Sequence, residues 1–299
     1  MKTHFFDVPV DCKIPFTDEV KRYYDAGVLM LPDSYTDTGK PTRLVLNCHG
    51  AGGTVTTNDA AVAVQEITLY LLANGYAVMD VNGLPEAFSH EFHVHIRNNI
   101  GSYIAINSYV WAYHYCMDNF NLMPDVFVHG GSMGGISSTN LVLSGRIPVI
   151  AQTCFCPVLA AYDQVFLHPW GTGEPKDAQA IIHSFKKDAD GQWIYDKEKL
   201  KGFDPYTSEK VHPCPMYICH CVNDNKVACQ ISVDYINRAK VNGVETELLL
   251  LPDGLHEPQA YGAPVAEPSG ITVLDGKEIP IRAAVEGAFR WIRKHDPTA

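Results

Sequence analysis

The sequence predicts an α/β protein in which a mostly parallel sheet is covered by helices on both faces. The main observation is that short apolar runs alternate with segments of helical periodicity along the 299 residues, an order typical of parallel strands joined by crossover helices. In addition, runs such as Arg43–Cys48 are almost continuously apolar, which indicates strands buried on both faces.

Strands are predicted where β-branched, aromatic and aliphatic residues form short runs that end at turn residues. In chain order these runs are Phe5–Val10, Gly27–Leu31, Arg43–Cys48, Tyr76–Val81, Val126–Val128, Ile147–Val158, Met216–Val222 and Glu247–Leu251, followed by a small hairpin at Ile271–Ile279 around Asp275 and Gly276.

Helices are predicted where apolar residues recur every three or four positions, with Gly or Asn as stop signals. The first predicted helix begins near Thr57 or Asn58 and ends at Asn74. The other predicted helices are 103–118, Ile136–Ser144, 229–242 and Ile281–Lys294. The stretch from Asn82 to about Gly101 is predicted to be a long loop.

The alternation of apolar strands and helices is interrupted after the strand Ile147–Val158. From about Ala160 to Val211 the chain becomes polar and aromatic, with one helical piece at about Pro175–Lys186. Insertions of this length tend to be functional lids. We therefore expect a single domain, 1–299, with a cap at about 160–211, in which Phe166 and Trp170 are candidate substrate contacts.

Composition limits the classes of partner. The net charge of −11 disfavours nucleic acid and anionic membrane surfaces, and no apolar run is long enough to cross a bilayer. The N-terminus lacks an apolar signal core, and most of the nine cysteines lie in apolar runs, as expected for reduced thiols. We expect a cytoplasmic protein that binds a small molecule, and a homo-oligomer is compatible with the sequence.

The most informative motif is the segment Asp125–Gly135, which contains Gly130-x-Ser132-x-Gly134 between a strand and a helix. A nucleophile on such a sharp turn sits in a strained backbone region, where side chains two positions away would collide. The following helix N-terminus directs main-chain N–H groups to the same place. This spacing favours Ser132 as a nucleophile over an incidental serine in a glycine-rich turn.

A serine nucleophile requires a histidine base and an acid that orients it. Asp224 directly follows the strand Met216–Val222, and His256 follows the strand Glu247–Leu251. The order serine, acid, histidine is the one expected for this sheet topology. Asp253 and Glu257 are rival acids, but each lies too close to His256 in sequence to reach its ring without a tight turn.

These motifs resemble those of the serine esterases of the α/β-hydrolase superfamily, a group that includes the catalytic domains of prolyl-oligopeptidase-like proteins. The resemblance covers about 25–295, less the insertion. Its segments are the nucleophile elbow Gly130–Gly134, the oxyanion loop His49–Gly53, Asp224-x-x-Val227 and Gly254-x-His256. The sequence departs from the family at Cys221, where a glycine often follows the histidine of the acid strand.

The resemblance implies an eight-stranded sheet and assigns roles to individual residues. Ser132 would be the nucleophile, His256 the general base and Asp224 the orienting carboxylate. The main-chain N–H groups of Met133 and of Ala51, with Gly52 as second choice, would form the oxyanion hole. The implied reaction needs no metal and no organic cofactor.

The expected function is hydrolysis of carboxylic esters, either small or carbohydrate-linked, such as acetyl or feruloyl esters. A serine peptidase of the prolyl-oligopeptidase type and an acyltransferase are alternatives on the same scaffold, and a binding protein without turnover is a fourth. His90, His93 and His95 are three histidines within six residues, and histidine is a common ligand of Zn²⁺ and Ni²⁺. No predicted element presents them on one face, so a surface loop is favoured and no metal site is assigned.

Overall fold

The computed structural model describes residues 1–56, 59–96, 99–160, 178, 180–252, 254–256, 271–274, 277–280 and 282–299. Its strands are β1 Lys2–Lys13, β2 Val20–Leu31, β3 Leu44–Cys48, β4 Ala77–Val81, β5 Val126–Gly131, β6 Val149–Phe155, β7 Lys186–Lys187, β8 Trp193–Ile194, β9 Met216–Cys221, β10 Thr246–Leu251, β11 Ile271–Leu274 and β12 Lys277–Pro280. Its α-helices are α1 Glu66–Ala73, α2 Glu86–Phe92, α3 Tyr103–Asn119, α4 Met133–Ser144, α5 Lys197–Lys201, α6 Cys229–Val241 and α7 Ala283–His295.

Within this part of the chain, eight strands form one sheet in the order β1-β2-β4-β3-β5-β6-β9-β10. The pairs β1–β2 and β2–β4 are antiparallel, and every other pair of the sheet is parallel. Because parallel neighbours bring their carboxyl ends to one edge, the loops after β3, β5, β6, β9 and β10 lie together there. The predicted mostly parallel, helix-covered sheet is confirmed.

Apolar layers on the two faces of the sheet hold it in place. One layer includes residues of α3 and α4, such as Tyr109 and Leu141, packed against β3 and β4. The other includes residues of α1 and α7, such as Leu71 and Trp291, packed against β5 and β9. Since both faces are covered, the central strands are buried throughout, which explains their continuous apolar sequences.

Several predicted boundaries were wrong. The first helix is a 3₁₀ turn, Ala61–Val64, followed by α1 from Glu66, and the predicted caps Thr57 and Asn58 lie outside the described residues. The predicted loop after Asn82 contains α2, a short helix that buries Phe88 and Ser89. The strand predicted to reach Val158 ends at Phe155 because Cys156 has a positive φ of 41°.

The predicted cap falls partly outside the described residues, which omit 161–177 and 179. Its described part includes the β7–β8 hairpin and α5. The turn between β1 and β2 contacts it, because the Phe16 N–H donates to Ser184 Oγ at 2.8 Å and the Phe16 and Trp193 rings stack.

Among the described residues, no helix combines the length and the apolar character that a membrane crossing requires. All nine cysteines are described, and each is a free thiol.

Candidate active site

Ser132 lies on the turn that joins β5 to α4. Its backbone has φ 53° and ψ −120°, a combination that L-residues rarely adopt. Hydrogen bonds hold this conformation, because the Ser132 N–H donates to Phe155 O at 2.9 Å and Ser132 O accepts from the Val158 N–H at 2.8 Å. The helix begins at Met133, three residues earlier than predicted, since the strained turn leads directly into it.

The glycines of the turn are required by close approach. A Cβ on Gly134 would overlap the carbonyl oxygen of Cys48, and one on Gly130 would overlap Gly134 O and Ser138 Oγ. A Cβ on Gly50, in the loop after β3, would lie 3.3 Å from Gly131 O. The spacing of the motif therefore lets β3, its following loop and α4 converge on the serine.

The structure brings Ser132, His256 and Asp224 together. Ser132 Oγ lies 2.7 Å from His256 Nε2, and His256 Nδ1 lies 2.8 Å from Asp224 Oδ2. The His256 side chain is 19% exposed and that of Asp224 is fully buried. This geometry allows the serine hydroxyl to donate to Nε2 while Nδ1–H donates to the carboxylate, as a base-activated nucleophile requires.

Asp224 is held as an anion by its surroundings. Burial by itself would raise its pKa, but hydrogen bonds from His220, His256 and the main chain lower the pKa below its usual range. Oδ1 accepts from the N–H groups of Lys226 and Val227 at 2.8 and 2.9 Å. An ionised acid is the state that stabilises a protonated His256 during proton transfer.

A cavity of about 310 Å³ opens onto the serine. Its walls include Ser132, His256 and Phe155, together with the loop Gly50–Gly53, so the predicted oxyanion residues Ala51 and Gly52 lie beside the nucleophile. Met133 is the first residue of α4, a position whose N–H cannot pair within the helix. Both sets of main-chain groups are therefore near the serine, and their role in an oxyanion hole stays a prediction.

The loop after β3 rests on a buried polar pair. His49 Nδ1 lies 3.2 Å from Asp80 Oδ1, and both side chains are essentially unexposed. Burial alone would lower the pKa of His49, but the Asp80 carboxylate beside it raises that pKa above its ordinary value. Asp80 also accepts from Tyr109 Oη at 2.8 Å and from Asn47 Nδ2 at 2.8 Å. This network fixes the start of the loop that carries Ala51.

His129 lines the floor of the same cavity. Its Nδ1 lies 2.9 Å from Thr153 Oγ1, and its ring contacts Phe155 edge to face. Burial lowers the pKa of His129 to about 3. A histidine that stays neutral and packed in this way is a wall of the cavity, whereas His256 has the position of a base.

The other candidate residues lie either outside the described part of the chain or at another cavity. Phe166 and Trp170 lie outside the described residues, as do Asp253 and Glu257. His90, His93 and His95 line a separate cavity near α2. Among the described residues, the set with potential ligand atoms within 4.8 Å of one another is Cys156, His220 and Asp224.

Sequence reasoning did not assign a role to His220. This residue lies on β9, is fully buried, and places Nε2 3.1 Å from Asp224 Oδ2. The signal in the sequence is a histidine inside an otherwise apolar strand, four positions before the acid. A buried histidine needs hydrogen-bond partners, and the nearest candidate along the chain is that acid.

Comparison with known proteins gives the same fold. No protein-family model and no curated protein matches the sequence. The structure is similar to an acylaminoacyl peptidase in complex with a chloromethyl ketone (13% identity, TM-score 0.57) over 87% of this chain and 39% of that one. It is also similar to a puromycin hydrolase (14%, TM-score 0.58) over 84% of this chain and 36% of that one.

A third similar structure is Est1E from Butyrivibrio proteoclasticus, with 15% identity and a TM-score of 0.54 over 84% of this chain and 90% of that one. The chain thus spans less than two fifths of the length of the two peptidases it resembles. All three share the α/β-hydrolase fold, which is therefore the fold of this chain, as its motifs predicted.

Proposed function

We propose that this protein is a serine hydrolase that cleaves carboxylic esters through an acyl-enzyme on Ser132. The observation that carries the proposal is the hydrogen-bonded series from Ser132 Oγ through His256 to Asp224, at 2.7 and 2.8 Å. Ser132 attacks the acyl carbonyl while His256 accepts its proton, and His256 then protonates the leaving alcohol. A water molecule, with His256 again as the base, then attacks the acyl-enzyme, and the carboxylic acid and free Ser132 are released.

The developing oxyanion would be bound by the N–H groups of Met133 and of Ala51 or Gly52. One such donor is worth about 100- to 1,000-fold in rate. The cavity beside Ser132 has about 310 Å³, enough to hold a small acyl group such as acetyl. The proposed substrates are therefore small acyl esters, including acyl groups carried on carbohydrate, with neither metal nor organic cofactor.

A peptidase is the second candidate, since proteins of similar fold include both an esterase and peptidases. A peptidase would bind chain on both sides of the scissile bond. An acyltransferase would need an alcohol that outcompetes water for the acyl-enzyme.

The test measures how fast the purified chain turns over three substrates. They are p-nitrophenyl acetate, a long-chain p-nitrophenyl ester and a proline-containing peptide p-nitroanilide. We expect turnover of the acetate ester that is lost in Ser132→Ala and kept in Ser34→Ala, a change at an exposed serine far along the chain. Cleavage of the anilide alone would support the peptidase. Binding without turnover, unaffected by Ser132→Ala, would contradict both.

A further inference from the structure

Asp224 contacts two histidines, and the proposed mechanism with Ser132 uses only one of them, His256. His256 Nδ1 lies 2.8 Å from Asp224 Oδ2, and His220 Nε2 lies 3.1 Å from the same oxygen. The side chains of His220 and Asp224 are both fully buried. His220 comes from β9, so the sheet itself fixes its position relative to the loop that carries the acid.

The position of the hydrogen on His220 follows from its neighbours. Nε2 lies 3.1 Å from the Asp224 carboxylate and 3.2 Å from the Val227 carbonyl oxygen. Both neighbours are acceptors, so Nε2 must carry the hydrogen and donate it. Nδ1 lies 2.8 Å from Ser232 Oγ, whose hydroxyl can donate to Nδ1 when the ring is neutral. Ser232 thus fixes the ring that in turn holds the acid.

The remaining groups near Asp224 are main-chain donors and thiols, which donate only weakly. Oδ1 accepts from the Lys226 and Val227 main chain. Burial, together with the charge of Asp224, raises the thiol pKa values of Cys156, Cys221 and Cys229. These thiols therefore stay neutral. The neutral Cys156 thiol forms a side-chain hydrogen bond with Asp224, but a thiol is a weak donor. His220 and His256 supply the two side-chain N–H donors to Oδ2.

We propose that His220 is a positioning residue, which holds Asp224 Oδ2 as an ionised acceptor aimed at His256 Nδ1. The active site then extends beyond three residues, in the order Ser132, His256, Asp224, His220, Ser232. This inference rests on the proposed function, because its effect is measured through the reactivity of Ser132. His220 lies behind the acid, so its loss should lower kcat and leave KM nearly unchanged.

Two amide substitutions separate the contacts of the ring. The amide nitrogen of His220→Gln falls near the position of Nε2 and can still donate to Asp224, whereas that of His220→Asn falls near Nδ1 and cannot reach the acid. We expect His220→Asn to lower kcat for p-nitrophenyl acetate by about 10- to 100-fold, the effect of one hydrogen bond to a charged group. His220→Gln should recover most of the loss.

The pH profile distinguishes positioning from a merely structural role. Without the His220 donor the carboxylate of Asp224 is more basic and holds the proton on His256 more tightly, so the acid limb of kcat/KM should move to higher pH in His220→Asn and much less in His220→Gln. His114→Asn, at an exposed histidine of α3, should match the wild type. Equal losses in both variants with lowered melting temperatures, a change in KM alone, or wild-type kinetics in His220→Asn would each overturn the proposal.

The rate at which a fluorophosphonate labels Ser132 separates this proposal from the proposed function. Labelling requires an activated serine but no particular acyl substrate. If the wild type labels rapidly but hydrolyses no ester, the proposed function fails. The same comparison of His220→Asn with His220→Gln then decides the role of His220 from labelling rates.

Discussion

At Gly134 the available space decides which residue is tolerated, because a Cβ there would overlap the carbonyl oxygen of Cys48. We predict that Gly134→Ala destabilises the protein by about 1–3 kcal/mol, the usual cost of overpacking, and removes hydrolysis because the turn at Ser132 must move. The free energy of unfolding from a urea titration and the rate of ester turnover measure the two effects.

Gly131→Ala provides the matched control one position before the serine. A Cβ on Gly131 would meet nothing within 4 Å, and its φ is not positive, so stability should change little. A Gly134→Ala protein as stable and active as Gly131→Ala would show that the convergence at Cys48 does not constrain the turn.

The sequence predicts some residues of the site better than others. Ser132, Asp224 and His256 stand at strand ends within recognisable spacing, and the structure places them in contact. His220 and the His49–Asp80 pair could not be assigned, because their roles depend on which nitrogen faces which acceptor across separate strands. Spacing along the chain carries no information about that orientation.

At the scale of elements, the contact between α7 and β9 is tight enough to reverse an ordinary preference. Gly287 lies inside α7, where alanine is normally better by about 1 kcal/mol, but its Cβ would overlap Tyr217 Oη. We predict that Gly287→Ala destabilises the protein instead. Thermal unfolding of the variant measures the change.

The Tyr217 hydroxyl explains the sign of this effect. It is buried, and among the described residues its side-chain partner is the weakly hydrogen-bonding thiol of Cys219, so Tyr217→Phe should cost little or stabilise. In a double-mutant cycle, Tyr217→Phe should reduce the cost of Gly287→Ala. Additive changes would mean that the ring, and not the hydroxyl, limits the approach of the helix.

Periodicity located the long elements and failed for the short ones. α3 and α7 show apolar residues at helical spacing, and their predicted bounds are within two residues of those observed. α2 has seven residues and buries only Phe88 and Ser89, too few for a periodic pattern. The 3₁₀ turn Ala61–Val64 has three residues per turn. Over four residues its pattern cannot be distinguished from that of an α-helix.

For the whole molecule, buried histidines should make stability depend on pH. Burial lowers the pKa of His129 to about 3 and that of His212 to about 4, from an ordinary 6.5. Below about pH 6.5 the unfolded chain therefore binds protons first. The stability that these rings contribute is fully present above pH 6.5 and is lost as the pH falls toward 4.

His212→Gln should remove part of this slope, whereas His114→Gln, at an exposed histidine, should not. The test is the difference in unfolding free energy between each variant and the wild type from pH 7 to pH 4.5. Taking differences matters because Asp25, whose pKa burial raises to about 6, changes stability in the opposite sense. A difference for His212→Gln that is constant with pH would contradict the prediction.

The architecture of the whole molecule followed from the order of elements, because buried parallel strands require crossover helices on both faces. The cap did not follow. Its composition has no single period, and its described β7–β8 hairpin pairs only two residues on each side. Contacts such as the Phe16–Trp193 stack join segments that are far apart in the chain, which no local pattern encodes.

The separation of 124 residues between Ser132 and His256 has a consequence for biosynthesis. During translation the serine emerges from the ribosome well before β10 can join the edge of the sheet beside β9. A nascent chain that ends before β10 therefore has Ser132 but no His256, and the reactivity proposed for the serine has to wait until β10 and the loop after it have joined the sheet.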